Sequence, residues 1–189
     1  LDVVADVLTG GKNSRLYKRL VYELQIAQSV QAFQNSEALS SSFIVEATPR
    51  PGHTVQELMT VIDEEIGRLR DEPPSGREVQ RALNQIESSF YSRLERVGGF
   101  GGKADQLNGY FVNTGNPDWF NEDLARYRAL SASDIRAAAE AFLRDSYQAL
   151  ERERVSNAAR GFLTYLPDKL YVGFQSVPVY DGCLVNIPK

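Results

Sequence analysis

The chain holds one histidine, His53, and one cysteine, Cys183. A zinc site built by a protein takes three or four His, Cys or carboxylate ligands, and two isolated candidates do not make one. His53 follows the Pro51-Gly52 turn and precedes Thr54, which is the place of a solvated turn histidine. Cys183 has no base beside it in sequence and makes a poor nucleophile. Asp63, Glu64 and Glu65 are consecutive; on a helix they would fan around the polar side without forming an acid–base pair. Glycines at 98, 99, 101 and 102 mimic a phosphate loop. Lys103 leads into Ala104, however, not into the Ser or Thr of such a loop, so a flexible joint between helices is the expected role. Trp119 and Phe120, after Pro117-Asp118, read as packing anchors.

What remains is the run Gly10-Gly11-Lys12-Asn13-Ser14-Arg15-Leu16. It lies between two apolar-periodic segments and reads as a helix stop, a glycine turn and a serine-capped helix start. Ser14 and Arg15 are a cap first and binding residues second.

Length and composition bound what these residues can serve. With 189 residues, 42% apolar and 24% charged, the chain can bury the core of one sizeable domain. Its net charge of -4 comes from interspersed acids and bases, which gives no reason to expect nucleic acid. No apolar run reaches the length of a membrane span and no signal-peptide pattern opens the sequence, though a fragment would lack one. A single cysteine excludes an internal disulfide and leaves the compartment open, periplasm or cytoplasm in a bacterium.

Leu1, Val4, Ala5 and Leu8 recur at helical spacing up to Gly10-Gly11. A second helix is expected over residues 14–24, with Leu16, Leu20 and Leu24 on one face. Alternation over residues 26–35 and again over 41–48 predicts two strands, most simply antiparallel neighbours. Val55, Leu58, Met59, Ile62, Ile66 and Leu69 stripe a long helix that Pro73-Pro74 ends. Ser75 and Glu78 form a capping box for the next helix, which carries Val79, Leu83, Ile86, Phe90 and Leu94. A helix with Ala104, Leu107 and Phe111 follows, then a short one around Leu124 and a last one over residues 134–143. Strands before helices, with few βαβ units, predict an α+β domain.

The end of the sequence is out of order. Residues 144–155 alternate like a strand. Ser156-Asn157-Ala158, a tripeptide that tag removal commonly leaves at the start of an expressed chain, comes next. Residues 169–178 then read as another strand ending at Pro178. The expectation is that residues 156–189 form the true N-terminal strand region, preceding Leu1 in the natural order. The plainer alternative is a C-terminal extension with one more edge strand.

The ordered series resembles the insulinase and mitochondrial-processing-peptidase family of zinc peptidases, of pitrilysin type. Its carriers are Gly10, Gly11, Ser14, Arg15 and Leu16, the strand Phe43-Ile44-Val45-Glu46-Ala47, the Pro51-Gly52 turn and the helix pair joined by Pro73-Pro74. The glycine loop and Leu124-Ala125-Arg126-Tyr127 before Ser131 also match. Val172-Gly173-Phe174-Gln175-Ser176-Val177-Pro178 is similar to the strand that opens the second half-domain in that family. The resemblance implies a sheet covered on one face by helices, as a single half-domain over residues 1–189.

Catalysis in that family needs His-x-x-Glu-His, in which i and i+4 imidazoles meet one metal and the glutamate takes a proton from metal-bound water. One histidine cannot supply it. The resemblance therefore implies the second, inactive half-domain, with no cofactor of its own and zinc in the parent enzyme. Complementary second half-domains carry an arginine and, seven residues on, a tyrosine that grip the substrate. Here those slots are Val21 and Gln28, and neither can do that work. The implied partners are the absent zinc-bearing half-domain of the same protein, a second subunit with the Arg/Tyr pair, and peptide substrates, held in part along residues 26–35. The alternative is a structural or assembly subunit of the same fold without protease activity.

Overall fold

The computed structural model of the protein describes residues 1–36, 41–143, 147–151 and 170–177. Along the chain come helix α1 (Asp2–Thr9), a π-helical segment (Tyr17–Glu23), strands β1 (Ala27–Ser36) and β2 (Ser41–Pro49), and helices α2 (Val55–Asp71) and α3 (Gly76–Arg93). Helices α4 (Lys103–Thr114), α5 (Phe120–Arg128) and α6 (Ala132–Phe142) follow, then strands β3 (Tyr147–Glu151) and β4 (Leu170–Val177).

β1 and β2 are antiparallel neighbours. β4 enters between β2 and β3, so the four-stranded sheet runs β1-β2-β4-β3 with every pair antiparallel. Alternation on β2 shows how the sheet is covered. Phe43, Val45 and Ala47 are fully buried, while Ser42, Ile44 and Glu46 on the other face stay partly open. α1 lies against β1 and α2 against β2, with α3 and α6 packed behind them. The expected α+β architecture, helices on one face of the sheet, is the observed one. The strand expected over residues 169–178 is β4, and its pairing is the same whichever end of the natural chain supplied it. Ser156-Asn157-Ala158, Pro178 and Cys183 lie outside the described residues.

Local chemistry sets the helix starts. Thr54, Ser75 and Ser131 each accept the N3 amide, and Glu57, Glu78 and Asp134 reach back to the cap residue's own amide. These reciprocal bonds satisfy two otherwise orphaned donors per helix. α4 ends at Gly115, whose φ of 73° is the left-handed cap that glycine adopts without strain. Between these ends the stripes bury Leu58, Ile62 and Leu69 on α2 and Val79, Ile86 and Phe90 on α3. Each such side chain contributes about 1.5–3 kcal/mol. Phe120 anchors α5 as expected, with its ring edge-on to Phe90 at 5.6 Å.

Two expectations fail here. Glu65 does not fan outwards with Asp63 and Glu64; it is 6% exposed and takes an ion pair from Arg68 at 3.1 Å. Its place three residues after Ile62 and four before Leu69 puts it on the buried face. On α4, Leu107 and Phe111 point out to solvent, and the buried side chain is Tyr110. The hydroxyl of Tyr110 donates to Asp123 at 3.0 Å, and this bond selects the face that turns inward.

Candidate functional site

The glycine-serine-arginine run is a locked corner. A side chain on Gly10 would put its Cβ 2.5 Å from the Asp6 carbonyl oxygen, and Gly11 has φ +81°. The first glycine is therefore needed for space and the second for backbone conformation. Ser14 is fully buried, and its hydroxyl donates back to the Gly11 carbonyl at 2.6 Å. That is a correction: the bond closes the turn and is not the side-chain cap expected of Ser14. Leu16 is fully buried in the core.

Arg15 reaches 63 residues along the chain to Glu78, with Nε on Oε1 at 2.7 Å and Nη2 on Oε2 at 3.4 Å. Glu78 already holds the Ser75 amide and hydroxyl, each at 2.8 Å. Burial alone would raise its carboxyl. Donation from Arg15 and from both groups of Ser75, with the Arg15 charge, outweighs burial and holds the pKa at about 2. The same carboxylate thus caps α3 and ties it to the corner. The capping-box pattern reveals Glu78 in the sequence, but nothing there reveals its partner.

The next segment departs from the expected α-helix. Leu24 N–H bonds the carbonyl of Arg19 and Ile26 N–H that of Leu20, both at 3.0 Å. This wider turn rotates Leu24 off the buried face, so Leu16 and Leu20 are fully buried while Leu24 is 38% exposed. Ile26 takes the inward position instead. Gln25, where the chain leaves the wide turn, has φ +56°, the left-handed region.

Val21 sits in this π-helical segment, partly buried against the core. Gln28 sits on a bulge: Ala27 pairs with Pro49 and Ser29 with Thr48, so Gln28 is the extra residue. Its amide is exposed and donates to the Pro49 carbonyl at 3.3 Å. The bulge is pinned by Arg50, whose N–H bonds Ile26 O at 2.8 Å and whose Nε bonds Ala27 O at 3.1 Å. The two slot positions expected from the resemblance therefore carry an aliphatic group packed on the core and a neutral amide. Beside them, Arg19 pairs with Glu23 at 3.2 Å. Tyr22 is 58% exposed, with its ring 6.1 Å from that of Tyr17.

The other candidates stay apart. His53 Nδ1 lies 3.6 Å from Glu57 at the start of α2. In the glycine loop the Gly101 amide is already taken by Asp105 at 2.9 Å, and an acid there opposes an anion. Among the described residues no three of His, Cys, Asp and Glu are grouped to hold a metal ion.

The described residues thus form a helix-covered antiparallel sheet with a locked glycine corner. Residues 1–86 match the family model of the peptidase M16 inactive domain. No curated protein matches the chain. Among solved structures it is similar to a protease from Helicobacter pylori, with TM-score 0.64 and 19% identity over 76% of this chain and 34% of that one. It is similar to a protein described as a zinc protease from Bordetella pertussis Tohama I, with TM-score 0.63 and 22% identity over 77% and 78% of the two chains. The inactive peptidase domain of a protein described as a zinc protease from Bordetella parapertussis gives TM-score 0.63 and 20% identity over 77% and 76%. The chain thus spans about a third of the Helicobacter protein. The resemblance read from the motif series is to this inactive domain, by sequence over residues 1–86 and by fold over about three-quarters of the chain.

Proposed function

We propose that this chain is the non-catalytic half-domain of a bacterial-type zinc metallopeptidase, one that closes the peptide-binding chamber and supports a zinc site held on another half-domain. One observation carries the reading: residues 1–86 match the model of the peptidase M16 inactive domain, and the signature within them is engaged inside the domain. Ser14 bonds Gly11, Arg15 bonds Glu78, and Leu16 is core. The motif acts as a brace, and no part of it is left to face a substrate.

Val21 and Gln28 extend the argument to the partner. A guanidinium fork and a phenol could grip a peptide and its carbonyl as charge develops there; valine and a hydrogen-bonded amide cannot. The pair is then supplied by a second subunit. Peptide contact along β1 would add backbone hydrogen bonds at a sheet edge, although Thr9 Oγ1 already takes the Ala32 amide at 2.8 Å.

The test is metal content and peptide cleavage by the full parent protein, alone and mixed with a subunit carrying the Arg/Tyr pair. One zinc per parent chain and cleavage only in the mixture are expected. The 189-residue chain by itself should take up no stoichiometric zinc and cleave nothing. A parent without zinc overturns the reading in favour of a structural subunit.

A further inference from the structure

The outer side of α3 carries a polar stripe without acids. Arg77, Gln80, Arg81, Asn84, Gln85 and Ser88 line a cleft of about 460 Å³, within the roughly 300–1,000 Å³ of ligand sites. Residues three and four apart share a helix face, so two guanidiniums and four neutral polar side chains converge there. Both acids of α3 are already engaged, Glu78 by Arg15 and Ser75 and Glu87 by Arg128. Arg77 is exposed and Arg81 half-buried. Nε and Nη2 of Arg81 are shut from solvent, with no hydrogen-bond partner among the described residues. Those two nitrogens form one edge of the guanidinium fork. The same edge of Arg15 holds both oxygens of Glu78, which shows what it fits: the paired oxygens of a carboxylate. Asp6 on α1 feels the Arg81 charge but takes neither of these donors. Buried donors without partners are costly, so a carboxylate that draws the fork into the cleft replaces an unfavourable arrangement with a bidentate pair.

We propose that this cleft binds an acidic peptide segment, with a glutamate or aspartate carboxylate held side-on by Arg81 and with Arg77 adding charge one turn away. The site goes beyond the half-domain reading above and does not require zinc. A peptide suits the rest of the lining. Gln80, Asn84 and Gln85 each offer both a donor and an acceptor, the same pair that a main-chain peptide group presents. None of the six lining residues is aromatic, so they provide no platform for stacking a nucleotide base. The whole chain has a net charge of -4, so an acidic peptide gains nothing from the overall field, and its affinity reports the local fork. A change of side-chain rotamer at Arg81, a common event when a partner binds, is the movement the site requires.

The experiment is fluorescence anisotropy of a labelled peptide of alternating glutamate and glycine, titrated with the 189-residue chain. A glutamine-for-glutamate peptide is the control, and every variant is also melted. The glutamate peptide should bind at least about ten-fold more tightly than the control. Arg81→Lys keeps the charge but removes the fork, and should weaken binding at least about ten-fold. Arg77→Gln should weaken it about two- to three-fold, and Arg136→Gln on α6 should leave it unchanged. Gln85→Glu, at an exposed position, should pair with Arg81 across one turn and block the peptide with no loss of melting temperature. No binding of the glutamate peptide, equal binding of the two peptides, or full binding by Arg81→Lys or by Gln85→Glu overturns the proposal. Competition by inorganic phosphate as strong as by glutarate also overturns it, because the cleft would then be a general oxyanion site.

Discussion

Replacing Arg15 by methionine tests whether the signature is a brace. The change removes the guanidinium fork and keeps most of the apolar stem. Glu78 sits at about 2 against an ordinary 4.5, a difference that corresponds to roughly 3 kcal/mol in total. Ser75 supplies part of it. Solvent also reaches both partners, whose side chains are 17% and 20% exposed, so the share of Arg15 is about 1.5 kcal/mol. In a domain of this size that loss lowers the melting temperature by roughly 3–6 °C. Urea unfolding followed by circular dichroism at pH 7 reads it directly. The pH dependence supplies a sharper check. A carboxyl whose folded pKa lies below its unfolded value stabilises fully above the unfolded value and loses that contribution as pH falls through the folded one. The gap between wild type and Arg15→Met should therefore be constant above about 4.5 and close towards about 2. A variant within about 0.3 kcal/mol of wild type at pH 7, or a gap that ignores acid, would refute the brace.

Three further outcomes follow from the same corner and the turn after it. Gln25→Gly relieves a left-handed residue and should raise stability by about 0.5–1 kcal/mol in urea unfolding; a loss would mean that the glutamine side chain holds the turn. Gly10→Ala forces a methyl to within 2.5 Å of the Asp6 carbonyl and should cost about 1–3 kcal/mol, seen as a lower thermal midpoint. Burial first, then Asp2, push Asp6 up to about 6 against the pull of Arg81. Its raised folded pKa penalises the native state above about 6, and the penalty fades as pH falls towards 3.8. Asp6→Asn should thus stabilise by about 1 kcal/mol at pH 8 and leave stability unchanged near pH 3.5.

Periodicity and capping made α2 and α3 legible, because Ser75 with Glu78 and the stripes from Val55 to Leu69 and Val79 to Phe90 all point the same way. The π-helical segment was not legible: Leu16 and Leu20 suit either helix, and only hydrogen bonding from Leu24 to Arg19 separates them. The bulge at Gln28 left a trace in the sequence, since buried Ala27 and Val30 lie three apart where strict alternation needs two. Glu65 and the outward face of α4 hid for another reason. A carboxylate on an apolar face and phenylalanines on a solvent face both contradict the binary pattern, and tertiary partners decided each. The Arg15–Glu78 bond joins residues too far apart for any local rule to pair them.

The corner explains why a motif can report a fold without reporting an activity. A signature whose serine, arginine and leucine are all engaged internally will serve any half-domain of this architecture, catalytic or not, because it holds the start of the π-helical segment against α3. On the proposed function, chemistry is decided a few residues further on, at Val21 and Gln28. Val21 lies in the wide turn and Gln28 on the bulge, and neither brings a charge or a phenol. If these two positions face the zinc of the parent, as the proposed function has it, supplying an arginine and a phenol there should be enough to give function. Val21→Arg with Gln28→Tyr, in the parent protein, is the substitution that separates a slot from a relic. Peptide cleavage without the second subunit would show that the two positions still face the zinc, and continued dependence on that subunit would show that they do not.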